Sequence, residues 1–140
     1  MSAKEYLMQI GLLEERIKLK QEEVLTLKEK SISMGSLSAD HDRVMSSPED
    51  KLSKSVINFV EAEKQCKAMI KEWQDLRNKI INEILTMSDK RYVDILYYRY
   101  VNLIDDFSII ADKIGYSYSR TIHMHGEALE IFRETYLSIR

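Results

Sequence analysis

Residues 107–133 read FSIIADKIGYSYSRTIHMHGEALEIFR, and this stretch decides the fold. Phe107, Ile110, Ala111 and Ile114 recur at helical spacing, which predicts a short helix with one apolar face, and Asp105 or Asp106 stands before it as a cap. Gly115 follows, a residue that ends helices cheaply because it takes up the left-handed conformation without a Cβ penalty. Ser117 then stands where a hydroxyl can accept from the free amides of a new helical turn. Met124, Ala128 and Phe132 continue at helical spacing as the buried side of that second helix. A short helix, a glycine turn and a longer helix with a polar tip make the helix-turn-helix pattern, whose second helix can lie in the major groove of DNA. Ser117, Tyr118, Ser119, Arg120, Thr121 and His123 are the candidate DNA contacts at that tip. Ser119, Arg120 and His123 are the best placed of them, because they lie away from Met124, Ala128 and Phe132.

Working outward, Ser88-Asp89 is a capping pair, and Val93, Leu96, Tyr97, Tyr100 and Val101 give helical spacing through the segment after it. With Phe107–Arg133 this makes a trihelical module over residues 88–140. The aromatics of YVDILYYRYV recur at helix period, so they read as packing rather than as a platform for stacked bases. Lys90 and Arg91 open this helix and are further candidates for phosphate contact.

Residues 1–87 have a different rhythm. Tyr6, Ile10, Leu13, Ile17, Val24 and Leu27 alternate steps of four and three, with Lys20 in the one missing place, which is the heptad pattern of a coiled-coil helix. Residues 31–47, SISMGSLSADHDRVMSS, are rich in serine and interrupt it, predicting a flexible loop. His41 lies there between two aspartates, and three adjacent loop residues are ordinarily solvated rather than a metal site. Ser47-Pro48-Glu49-Asp50 announces a second helix by cap, first-turn proline and acids. Leu52, Val56, Phe59, Glu63, Cys66, Ile70, Trp73, Arg77, Ile80, Ile84 and Met87 then carry the heptad over roughly 40 residues, or ~60 Å. An antiparallel helical hairpin, coiled-coil-like, is the simplest arrangement. Ile10, Leu13, Ile17, Val24, Leu27, Val56, Phe59, Ile70, Trp73 and Ile80 are expected to form an oligomer seam, because a helix this long outruns a small trihelical unit. The alternative is that the hairpin packs on the C-terminal module within one chain.

Composition sets bounds. With four glycines and one proline in 140 residues, there is little turn material for a sheet, so the chain reads as all-α. The single cysteine, Cys66, excludes an intrachain disulfide and a cysteine-based zinc site and fits a small apolar place in a helix seam. Residues 1–88 carry 14 Lys and Arg against 15 Asp and Glu, and residues 89–140 carry 7 against 8. DNA affinity comes largely from neutralised phosphates, so a chain with no basic half must rely on a local patch, on a second copy or on a partner. The pattern holds no phosphate-cradling glycine loop, no nucleophile elbow and no histidine pair at four-residue spacing, and no enzyme activity, metal or cofactor is expected. His123 and His125 are two apart and diverge by about 200° on a helix, so they cannot share an ion. No apolar run reaches the ~18 residues of a membrane span, and the N-terminus MSAKEYLMQI lacks the apolar block of a secretion signal; a cytoplasmic protein is expected.

From Met87 to Arg133 the chain resembles region four of bacterial sigma factors, the module that reads the upstream promoter element. The resemblance rests on Arg99-Tyr100, on residues 107–115 (FSIIADKIG), on Ser117 as cap, and on Arg120, the Glu127-Ala128-Leu129 run and Arg133. Small phage-encoded transcription regulators of Gram-positive hosts are similar in joining a helical N-terminal part to such a unit. The resemblance implies a sequence-specific DNA-binding transcription regulator acting on double-stranded DNA in a bacterial host, and the long helices add the expectation that it acts as a homodimer. The resemblance also allows RNA polymerase as a partner, and the alternative function is an interaction module docking on the polymerase or another protein. In sigma factors the tip of the recognition helix is rich in arginine and glutamate, whereas here only Arg120 keeps a permanent positive charge, so the promoter they read is not carried over.

Overall fold

The computed structural model describes residues 1–40 and 48–138, and among these the chain is all-helical, with no strand. Its helices are α1 (Ala3–Asp40), α2 (Pro48–Leu85), α3 (Lys90–Leu96), α4 (Phe107–Ile114) and α5 (Tyr118–Phe132). A π turn, Tyr97–Val101, continues α3, and another, Arg133–Leu137, continues α5. No helix among the described residues is long and apolar enough to cross a membrane.

α2 begins at Pro48 as expected, since the missing amide of proline costs nothing in a first turn. The expected cap at Ser47 and the reading of His41 lie outside the described residues. The loop expected from residue 31 is corrected: α1 runs on to Asp40. The serines and Gly35 each lower helix propensity by about 1 kcal/mol or less, which a helix already nucleated tolerates. Asp89 caps α3, its carboxylate accepting from the Arg91 amide at 2.9 Å.

Two compact units divide the chain, and the boundary is not the expected one at residue 87. Glu14–Glu72 form one; Met1–Leu13 and Trp73–Arg140 form the other. The second unit has its core where Ala3, Leu7 and Ile10 of α1 and Ile80 and Ile84 of α2 meet Leu96, Tyr100, Val101, Ala128 and Phe132, all buried. Tyr6 donates to Glu83 at 2.5 Å beside it. The Tyr6 ring of α1 lies 5.8 Å from that of Phe132, so the ends of the long helices complete the core of the three C-terminal helices. Ile95, Ile110 and Met124 form a second buried cluster in the same unit, walled by Tyr92, Tyr98, Ile104, Phe107 and Ile114. Leading into α4, Leu103 has a left-handed backbone (φ 59°), and a Cβ on Gly11 would stand 3.1 Å from its Cδ2.

In the unit Glu14–Glu72, Ile17, Ala62 and Cys66 are buried, so Cys66 does occupy an apolar place in the seam. Val24, Leu27, Phe59 and Ile70 are half-buried. Lys20 Nζ donates to Gln65 Oε1 at 2.7 Å, and Leu27 shares one crevice with Asn58 and another with Lys30, Lys51, Lys54 and Ser55. Ser55 is buried and its hydroxyl has no partner. The expected oligomer seam is corrected at Ile10, Ile17 and Ile80, which are buried within one chain and cannot be offered to another. Leu13 and Trp73 are half-buried, and of the expected seam Val56 alone is largely exposed.

Candidate nucleic-acid interface

The exposed tip of α5 is the centre of the candidate interface, and local chemistry sets its position. Asp106 caps α4, accepting from the amide of Ser108 at 2.9 Å and from its hydroxyl at 2.7 Å. α4 ends at Gly115, left-handed at φ 76°, whose amide donates to the Ala111 carbonyl at 2.9 Å. Only Tyr116 and Ser117 separate this from α5, and the Ser117 hydroxyl accepts from the Arg120 amide at 3.1 Å. Met124, Ala128 and Phe132 are buried as the spacing predicts, so the helix is anchored along one side by both clusters of its unit.

That anchoring leaves Tyr118, Ser119, Arg120, Ile122 and His123 exposed on the other side. Thr121 is the exception and is corrected: it is fully buried, and its hydroxyl donates to the Ser117 carbonyl at 2.8 Å. A hydroxyl facing the core cannot meet a base edge. Ser117 is exposed, but its oxygen is engaged as the cap.

The charges around the tip are mostly compensated. Arg91 forks onto Asp89, at 3.1 Å through Nε and 2.7 Å through a terminal nitrogen, and its guanidinium also faces the Tyr116 side chain. The guanidinium holds the Asp89 carboxyl below the usual carboxylate range. Lys90 reaches Asp94 at 3.1 Å, and His123 Nε2 lies 2.9 Å from Glu127 Oε1. The Tyr92 hydroxyl donates to the other oxygen of Glu127. That bond, followed by the charges of His123, Arg120 and Arg91, holds the Glu127 carboxyl below its ordinary value. Arg120 has no ion pair among the described residues and is exposed. Among the described residues the α5 tip therefore offers Arg120 as a permanent cation without an ion pair, several hydrogen-bonding groups and two apolar side chains, Tyr118 and Ile122, while Lys113 at the end of α4 lies over the Tyr98 ring without an ion pair.

The Tyr92–Glu127–His123 cluster was not foreseen, because it joins α3 to α5 across a fold that spacing alone does not give. His123 and His125 do face different surroundings. His125 is partly buried against Tyr100, whose hydroxyl lies 2.8 Å from Nε2, and its ring is 4.8 Å from that of Phe107. Burial, then the charges of Arg99 and Lys4, lower the His125 pKa to about 4. Arg99 itself lies over the rings of Tyr100 and Phe107, at 5.2 and 5.9 Å, and reaches Asp105 at 3.3 Å. Arg133 pairs with Glu130 at 2.6 Å on its own helix. Of the three arginines of the sigma-like pattern, Arg99 and Arg133 thus hold partners within the chain, and Arg120 has no ion pair among the described residues.

Neither a protein-family model, nor a curated protein, nor a solved structure matches this chain.

Proposed function

We propose that this chain is a sequence-specific DNA-binding transcription regulator of the small phage-encoded type, with α4 and α5 as a region-four-like helix-turn-helix. One observation carries the reading: α5, capped by Ser117 after the Gly115 turn, buries Met124, Ala128 and Phe132 and turns Ser119, Arg120 and His123 outward. Those are the side chains a recognition helix needs at its N-terminal end, where an arginine can fork onto a guanine edge and shorter polar groups can meet bases or phosphates. Tyr118 adds an aromatic edge for phosphate or a thymine methyl. Lys90 and Arg91 serve as phosphate contacts only by exchanging Asp94 and Asp89 for DNA.

α1 and α2 form an antiparallel hairpin in this reading, supported by the Lys20–Gln65 bond and by the crevice Leu27 shares with Asn58. A dimer built on the hairpin brings two recognition helices to two half-sites, and the doubled contacts offset the weak charge of each. No catalytic step and no cofactor belongs to this reading.

A second reading takes the α5 tip as a docking face for RNA polymerase or another protein. The paired charges and the exposed Tyr118 and Ile122 favour it. Titration of the full chain against random duplex DNA at several salt concentrations separates the two. DNA binding predicts affinity that falls steeply as salt rises, and Arg120→Ala weakens it while leaving helicity unchanged. Salt-independent affinity, or wild-type affinity in Arg120→Ala, contradicts the groove reading.

A further inference from the structure

In the unit Glu14–Glu72, the sides of α1 and α2 that turn away from the buried seam carry opposite patterns. On α1, Glu15, Glu22 and Glu29 are exposed at seven-residue spacing and form a ridge, and none holds an ion pair among the described residues. Leu19 flanks the ridge on one side, Leu25 and Ile32 on the other, and these three are 66%, 56% and 61% exposed. On α2 the outward stripe runs through Ile57 and Val60, 63% and 53% exposed, to Lys64 and Lys67. Lys64 has no ion pair among the described residues, and Lys67 is held only at 3.6 Å from Glu63. Lys18 stands within the ridge of α1 and Glu61 beside the stripe of α2, so the first is mainly acidic and the second mainly basic. Apolar side chains this exposed among such charges are what a helix seam with flanking ion pairs presents before it closes.

We infer that a second copy of this chain covers this face, the glutamate–leucine ridge of α1 lying along the isoleucine–valine–lysine stripe of the other copy's α2. The inference rests on the dimeric hairpin reading above and names its interface. Register supports it. Lys20 meets Gln65 and Leu27 lies beside Asn58, so position rises along α1 as it falls along α2. A two-fold axis parallel to the helices sets the other copy's α2 at the level of the chain's own. Glu22 then stands level with Lys64, Leu25 with Val60 and Leu19 with Lys67, while Glu15 comes within about one turn of Lys67. Glu22 and Glu15 meet lysines and Leu25 meets Val60, while Leu19 lies along the aliphatic stem of Lys67, and the two-fold repeats each contact, as a self-complementary interface requires. The same ridge of glutamates repels phosphate, so nucleic acid is the wrong occupant.

The test exchanges charges on these exposed positions of the full chain and reads particle mass by sedimentation at micromolar concentration. E15K/E22K alone and K64E/K67E alone each weaken the dimer by at least about tenfold, because attraction becomes repulsion at every repeated pair. An equimolar mixture of the two variants restores a dimer containing one of each. Circular dichroism unchanged from wild type shows that each variant is folded. A wild-type dimer that both variants form equally well overturns the interface while sparing the dimer. A monomeric wild type overturns both, and DNA binding is scored apart from either by the duplex titration.

Discussion

His125 couples the packing of α5 to pH, and replacing it with phenylalanine isolates the effect. Its ring lies between Tyr100 and Phe107, and burial, with Arg99 and Lys4 nearby, lowers its pKa to about 4, against about 6.5 in an unfolded chain. Below about 6.5 the unfolded chain accepts a proton that the folded one refuses. The stability this residue contributes is therefore complete above pH 6.5 and is lost as pH falls through about 4. At pH 5 the full shift corresponds to about 2 kcal/mol, and the partial exposure of the ring reduces this to about 1 kcal/mol. His125→Phe keeps the aromatic packing and removes the titration, but it leaves the buried Tyr100 hydroxyl without its partner, a cost of about 1 kcal/mol at every pH. Urea unfolding at pH 7 and pH 5 reads both terms. The variant is the less stable protein at pH 7, and the gap closes by pH 5. Parallel pH profiles for the two proteins would refute the account of His125.

Gly115→Ala forces a Cβ into a left-handed backbone where no atom lies within 4 Å of it, so strain is the whole penalty, about 1–2 kcal/mol in thermal or urea unfolding. Gly115→Asn costs less, since asparagine tolerates that conformation; equal losses for the two would show that crowding decides. Thr121→Val removes a buried hydroxyl and lowers stability by about 1 kcal/mol while leaving the order of preferred DNA sequences unchanged, because the side chain faces the core. A shift in preferred sequence would place Thr121 back in the groove. Ser55→Ala raises the unfolding midpoint by removing a buried hydroxyl that has no partner, by about 1 kcal/mol in chemical denaturation; a loss of stability would mean that the hydroxyl is bonded after all.

Features decided within a few residues were legible in the sequence. Gly115, the caps at Asp89, Asp106 and Ser117, the start of α2 at Pro48, and the buried positions of α5 all follow from local geometry. Features decided by the approach of distant segments were not. Heptad spacing marks Ile10 and Ile80 as apolar, but only the fold shows them inside the C-terminal core rather than in a seam between copies. Spacing likewise marks Thr121 as near the recognition tip, but its burial depends on the crossing of α5 with its neighbours. The aspartate that occupies Arg91 lies only two residues away, and an ion pair that close could have been anticipated from the Asp89-Lys90-Arg91 run.

The central claim, that the tip of α5 reads DNA, is tested most directly by selecting bound duplexes from a random pool with the full chain and with Arg120→Ala. The account predicts that the wild type enriches a defined sequence, arranged as two half-sites, and that Arg120→Ala loses preference at a specific position of each. A pool that stays random after selection by the wild type contradicts it.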